Sequence, residues 1–283
     1  MKRFLACLLV GTMVLTPVAA LAAEETEEQT EVIEEAVTEG AEAAEEAEAE
    51  EEVWIDLENT PIEEWPPFLQ DMFFPQAPEI EEGKIHVACI GDSITWGAGV
   101  LVPDMDRENT YPVLLGKDLG DEYQVLNYGM SGRTLLKEGD DPYVEEDFYA
   151  LSHDAAADIY VIMLGTNDSK PYNWNAENFK SQLTDFAKSY LDLENAPKVF
   201  LMTPPAAFVV DGAEEVVYDI QAGTIEEEVA PIVREVAEEL GTSLVDMYEE
   251  TKDHPEWFPD GVHPGAEGNA AFAEIVKNAL LAE

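Results

Sequence analysis

The stretch Lys84-Ile85-His86-Val87-Ala88-Cys89-Ile90-Gly91-Asp92-Ser93-Ile94-Thr95 decides the fold. Lys84 to Ile90 is a short, mostly apolar run bounded by a glycine, which reads as a buried strand. Gly91-Asp92-Ser93 then turns the chain sharply. Outward from this stretch the same alternation recurs. The pattern predicts further strands over Tyr123–Tyr128, Ile159–Leu164, Lys198–Thr203 (ending at Pro204-Pro205) and Ser243–Met247. It predicts helices over Tyr111–Leu119, Ala176–Leu191, Thr224–Leu240 (stopped by Gly241) and Ala266–Leu281. Short apolar strands alternating with helices imply an α/β fold, a parallel sheet covered on both faces. In such folds sites form outside the carboxyl ends of the strands.

The residues just past the strands are therefore the ones to read. After the first come Gly91-Asp92-Ser93-Ile94-Thr95, and after the second Asn127-Tyr128-Gly129-Met130-Ser131-Gly132. After the third come Gly165-Thr166-Asn167-Asp168, and before the last helix lie Asp260-Gly261-Val262-His263-Pro264. Together they supply one serine in a tight turn, glycines with free backbone N–H groups, one amide side chain and an Asp/His pair. Those are the parts of an acyl-transfer site. A serine hydroxyl is a weak nucleophile until an imidazole takes its proton, and a carboxylate on the other ring nitrogen fixes the tautomer. The Asp-x-x-His spacing lets both groups enter one cleft from a single loop.

The four segments resemble, in order, the four blocks of the SGNH hydrolase (GDSL esterase/lipase) superfamily, and the resemblance covers residues 84–283. It implies a three-layer α/β/α sandwich with a five-stranded parallel sheet, a flavodoxin-like arrangement. It also implies roles: Ser93 as nucleophile, His263 as base and Asp260 as its orienting acid. The oxyanion hole would be formed by the Ser93 N–H, the Gly132 N–H and the Asn167 amide. Lys170, Tyr172, Asn173 and Trp174 follow that asparagine and are expected at the substrate pocket.

Each of these residues also has an ordinary structural job. Ser93 suits a helix start, Asp92 a turn, Gly132 a positive φ, Asn167-Asp168 a turn pair, and residues 170–174 a helix-entry loop. Among the other histidines, His86 reads as a satisfied core residue, and His153 and His254 as surface residues. No Gly-x-Ser-x-Gly elbow, His-Glu-x-x-His, phosphate loop or dinucleotide fingerprint is present. No metal and no cofactor are expected.

Composition limits the partners. The chain of 283 residues carries 62 acids against 14 bases, a net charge of −48, so nucleic acid is not an expected partner. Hydrophobic residues make up 46%, enough for a real core, and two cysteines exclude a disulfide scaffold. Lys2 and Arg3, the apolar run Phe4–Ala20 and the small residues around Ala22 read as a bacterial secretory signal peptide at 1–22. Residues 23–53 read as an acidic disordered spacer, with fifteen Glu and no base between Glu24 and Glu52. Residues 54–83 mix Trp54, Trp65, Phe68, Phe73 and Phe74 with prolines. They are expected to pack as a strap on the catalytic domain at 84–283. Cys89 reads as a buried core thiol.

The sequence thus points to a secreted, extracellular serine esterase acting on short acyl esters of a small molecule or polysaccharide, foremost O-acetyl groups on carbohydrates. No membrane association is expected after signal cleavage. The readings it leaves open are a lysophospholipase or thioesterase, and a non-catalytic carbohydrate-binding module.

Overall fold

Alternation along each strand divides the core into two halves. In the computed structural model, which describes residues 61, 70, 78–101 and 107–282, five strands form one sheet. They are β1 (Ile85–Gly91), β2 (Tyr123–Gly129), β3 (Ile159–Met163), β4 (Lys198–Met202) and β5 (Ser243–Val245). All pairings are parallel and the order is β2-β1-β3-β4-β5. The five helices that cover it are α1 (Tyr111–Leu119), α2 (Asp147–Asp154), α3 (Ala176–Leu191), α4 (Ala230–Leu240) and α5 (Ala266–Leu281).

Ala88, Ile90, Tyr160, Ile162, Val199 and Leu201 face α2, α3 and α4 in one apolar cluster. Their neighbours in sequence, Val87, Cys89, Val161, Phe200 and Met202, face α1 and α5 in a second cluster. Because adjacent strand residues point to opposite faces, a strand buried on both sides must be apolar throughout. The α/β/α sandwich expected from the sequence is the observed fold, and its strand order is the flavodoxin-like one.

Register brings the strand ends level. Gly91 at the end of β1 pairs with Gly129 of β2 and Met163 of β3. The segments after these three strands therefore leave the sheet along one edge, and Ser93 lies at the switch point between β1 and β3. Gly129 is needed there: a Cβ on it would sit 2.2 Å from the Trp96 backbone nitrogen. Only a residue without a side chain lets the serine turn pack so closely on β2.

The structure departs from the sequence reading in a few places. The expected helix Thr224–Leu240 begins earlier, at Ala222, and passes through a π-helical stretch at Ile225–Val229 before α4. Pro231 lacks an N–H and its ring crowds the preceding turn, which the wider π turn relieves. β5 stops at Val245, short of the expected Met247, because Asp246 caps the short helix Met247–Thr251. Helix α2 was not among the expected elements.

Two histidines also differ. His86 is half-buried at the start of β1, bonded to the Glu81 carbonyl at 2.9 Å, and so is satisfied without being in the core. His153 is half-buried and stacked 4.0 Å from Tyr190, with Ser189 Oγ 3.1 Å from Nε2, and so is not a surface residue. His254, by contrast, stacks on Trp257 at the surface. Cys89 is fully buried, and burial pushes its thiol up to about 12.

The expected signal peptide at 1–22, the expected spacer at 23–53 and most of the expected strap at 54–83 lie outside the described residues. The last residues of that stretch, 78–83, are described. The Gln124 side chain donates to the Glu79 carbonyl (2.8 Å) and accepts from the Glu81 N–H (2.9 Å). One amide on β2 thus fixes the chain just before it enters β1.

Candidate active site

Ser93 opens the single helical turn Ser93–Trp96 directly after β1. Asp92 caps the turn by accepting from the Ile94 N–H at 2.9 Å, and Gly97, in the left-handed region, closes it. Ser93 is buried, at 6% exposure. Its Oγ lies 2.9 Å from His263 Nε2.

His263 comes from the loop before α5, and Asp260 builds that loop. One carboxylate oxygen accepts from the N–H groups of Val262 (2.9 Å) and His263 (2.7 Å). The other receives His263 Nδ1 at 2.7 Å. A carboxylate can only accept here, so Nδ1 carries the proton and Nε2 faces Ser93 as an acceptor. Burial alone would raise the Asp260 pKa. The His263 ring and the two backbone donors outweigh burial and hold it below the usual range. The three residues chosen from the sequence are therefore brought into one continuous chain of hydrogen bonds.

Asn167 sits in the turn Asn167–Ser169 after β3, at 7% exposure. Its side-chain amide donates to the Arg133 carbonyl at 3.1 Å. Gly132 precedes Arg133 and has φ +85°, a conformation that glycine adopts without strain. One hydrogen bond thus links the two segments expected to supply oxyanion donors. Each amide has two N–H groups, so Asn167 keeps one for another acceptor.

Asp168, which the sequence reading took as half of a turn pair, has a larger part. Its buried carboxylate accepts from the N–H groups of Leu135 (3.0 Å) and Leu136 (2.7 Å). It clamps the segment that follows Gly132 to the turn that carries Asn167. Burial pushes Asp168 up to about 7, against those two donors, and the nearby Asp92 adds to the rise. The signal in the sequence was its adjacency to Asn167, but a buried acid cannot be read from adjacency alone.

Asp92 is itself fully buried. Burial pushes it up to about 6, opposed first by the Ile94 N–H and then by the charge of His263. Its second oxygen and the Thr166 hydroxyl both lack a well-formed hydrogen bond, although Thr166 lies close enough to favour the charge. A pKa of about 6 in the folded chain against an ordinary 3.8 means that the folded state keeps this proton longer. The stability tied to it is whole below the lower value and is lost as pH rises through the upper one. Asp92→Asn, with its neutral amide, should therefore flatten the fall in melting temperature between pH 4 and 7. A fall as steep as in the wild type would count against this origin.

Lys170, Asn173 and Trp174 spend their polar groups on other groups of the protein. The Lys170 ammonium pairs with Asp140 at 3.1 Å. The Asn173 amide donates to Asp140 (2.8 Å) and to the Asn167 carbonyl (3.0 Å), bracing the asparagine from behind. Trp174 donates to Glu228 at 3.0 Å and packs on Phe179. Of the four expected pocket residues, Tyr172 is the exposed one, at 62%. The structure adds one residue that the sequence did not single out: the Tyr218 ring stands 5.4 Å from His263, edge-on.

Known proteins resemble this chain in sequence and fold. The model of the GDSL-like lipase/acylhydrolase family matches residues 89–271. An acetylxylan esterase from Xylanibacter ruminicola is 35% identical over 233 residues, which is 75% of this chain and 47% of that protein. The chain spans about half the length of that curated relative. A carbohydrate acetylesterase family member from Sinorhizobium meliloti has a TM-score of 0.56 and 27% identity, over 69% of this chain and 96% of its own. The native aryl esterase of M. smegmatis, at 22% identity and a TM-score of 0.55, covers 70% of this chain and 98% of its own, a likeness of fold.

Proposed function

Because the chain belongs to the GDSL-like lipase/acylhydrolase family, we propose that it is a secreted serine esterase that removes short acyl groups, foremost O-acetyl, from carbohydrates. The observation that carries the reading is the pair of contacts on His263: Ser93 Oγ at 2.9 Å on one ring nitrogen and Asp260 at 2.7 Å on the other.

In this reading Ser93 Oγ attacks the ester carbonyl while His263 Nε2 takes its proton, and Asp260 stabilises the imidazolium. Negative charge moves onto the carbonyl oxygen, where the N–H groups of Ser93 and Gly132 and the Asn167 amide receive it. The tetrahedral adduct collapses and His263 returns the proton to the departing alkoxide, leaving an acyl-serine. Water, deprotonated by the same imidazole, then attacks the acyl carbonyl, and the second adduct frees the acid and Ser93. No outside oxidant or metal enters the balance of these steps.

The substrate class rests on three supports. The named relatives include an acetylxylan esterase and a carbohydrate acetylesterase. From Lys84 onward the chain holds 39 acids against 12 bases, which disfavours approach to anionic lipid. The basic start and apolar run at 1–22 read as an export signal, placing the enzyme where polysaccharides are found.

The reading predicts a chain-length profile. On nitrophenyl esters, kcat/KM should be highest for acetate and fall steeply beyond butyrate, and acetylated xylan should release acetate. Activity that climbs from acetate to palmitate would favour a lysophospholipase or thioesterase instead. A purified protein inert on every ester would favour a non-catalytic carbohydrate-binding module.

A further inference from the structure

The chemistry of the second half of acylation places the alcohol. If His263 protonates the departing alkoxide, that oxygen must come within hydrogen-bond reach of Nε2. The rest of the alcohol must then extend over whatever borders the imidazole. Among the described residues, one that borders it is Tyr218, its ring centroid 5.4 Å away and inclined at 61°.

Tyr218 is unusual in two respects. It is 60% exposed although it stands against the half-buried His263 ring, so much of its own ring is open to solvent. Its backbone lies in the left-handed region, with φ 61° and ψ 23°, and Asp219 follows at φ 60°. A bulky residue in that region is a genuine outlier, held only when its surroundings over-determine it.

The surroundings do so here. Ile220, at 3% exposure, packs with Ile225 and with Val262, which stands between Asp260 and His263. The Gln221 N–H donates to Ser169 Oγ at 3.1 Å, in the turn that begins with Asn167. Ile220 and Gln221, just after Tyr218, are thereby tied to the histidine loop and to the asparagine turn, and Val216 and Val217, just before it, pack against the same apolar cluster. Tyr218 and Asp219, both at positive φ, are left exposed between these anchored stretches. Burial first, and then the charge and the hydrogen bond of Asp260, push the Tyr218 phenol up. The phenol is thereby held near Asp260, while the residue stays 60% exposed.

We infer that Tyr218 is a specificity-determining residue, whose exposed ring is the platform for a neutral pyranose on the alcohol side of the ester. The inference rests on the carbohydrate-ester reading above and names the residue that would enforce it. An aromatic face is electron-rich and meets the C–H face of a sugar ring well, while the phenol oxygen offers a polar contact to a hydroxyl. Asp219 and Asp260 beside the ring favour a neutral alcohol over an anionic one. A glycerol backbone has no ring face to lay on it.

The test compares acetylated xylo-oligosaccharides with ethyl acetate, whose alcohol is too small to reach the ring. Tyr218→Asn removes the ring and keeps a residue that tolerates the left-handed backbone; Tyr218→Gly is the second ringless variant, should the first not fold. Loss of the ring should lower kcat/KM on the oligosaccharides about tenfold more than on ethyl acetate, through KM rather than kcat. Tyr218→Phe should keep most of that preference. An equal loss on both substrates would make Tyr218 a support for His263 only, and no loss would make it a bystander; either result overturns the inference. A wild-type enzyme that cleaves ethyl acetate and no carbohydrate acetate would overturn the carbohydrate reading itself, and this inference with it.

Discussion

Ser93→Ala and His263→Ala should each lower kcat by on the order of 10⁴–10⁶, and the double variant should lose little more. The hydroxyl and the imidazole share one proton across 2.9 Å. Without the ring, Ser93 cannot be deprotonated at neutral pH; without the hydroxyl, the ring has nothing to activate. The effects therefore do not add. KM should change little, since neither group is needed to hold the ground state. Steady-state kinetics on nitrophenyl acetate would check this. A Ser93→Ala protein that keeps a tenth of wild-type activity would remove Ser93 from the role. Asp260→Asn should be milder or comparable. The amide can still accept from the backbone of Val262 and His263, but it no longer fixes the imidazole tautomer.

The second large effect concerns charge on the carbonyl oxygen. Asn167→Ala should lower kcat by about 10²–10³ and leave KM nearly unchanged, as removal of a single oxyanion donor does elsewhere. The amide is prepositioned before substrate arrives. The Arg133 backbone carbonyl takes one of its hydrogens (3.1 Å), and Asn173 holds the backbone carbonyl of Asn167 (3.0 Å). Preset donors need no reorganisation when charge develops, which is why their loss falls on kcat. Melting curves measured alongside would separate this from damage to the Arg133 contact. A parallel rise in KM with constant kcat would mean that Asn167 binds substrate rather than the transition state.

How far the sequence could be read depended on the range of the interactions. Helices α1, α3 and α5 run over the spans that periodicity predicts, because their patterns are long and their ends carry local signals. Strands β1 to β4 fall within a residue of expectation, since doubly buried strands are apolar throughout. What escaped was set by contacts distant in sequence. His153 looks like a surface residue among its neighbours, yet a stack with Tyr190 on α3 takes it inward. Lys170 and Asn173 look like pocket residues but turn to Asp140, about thirty positions earlier. Asp168 looks like a turn residue until Leu135 and Leu136 arrive to occupy it. Tyr218 was invisible for a different reason. Nothing in Val216-Val217-Tyr218-Asp219 announces a left-handed backbone, which the packing of Ile220 and the tie at Gln221 impose.

The site was more legible than these details because its parts follow strand ends, and strand ends are where the pattern is strongest. The same rule that located Ser93, Gly132 and Asn167 could not show how they are braced.

The most direct test of the account is the rate at which a fluorophosphonate probe modifies the protein, with the labelled peptide identified by mass spectrometry. Such a probe reacts with a serine only when a base takes the hydroxyl proton. Labelling of Ser93 alone, slowed by orders of magnitude in His263→Ala, is the predicted result. Labelling at another residue, or a rate at Ser93 that does not change when His263 is removed, would contradict it.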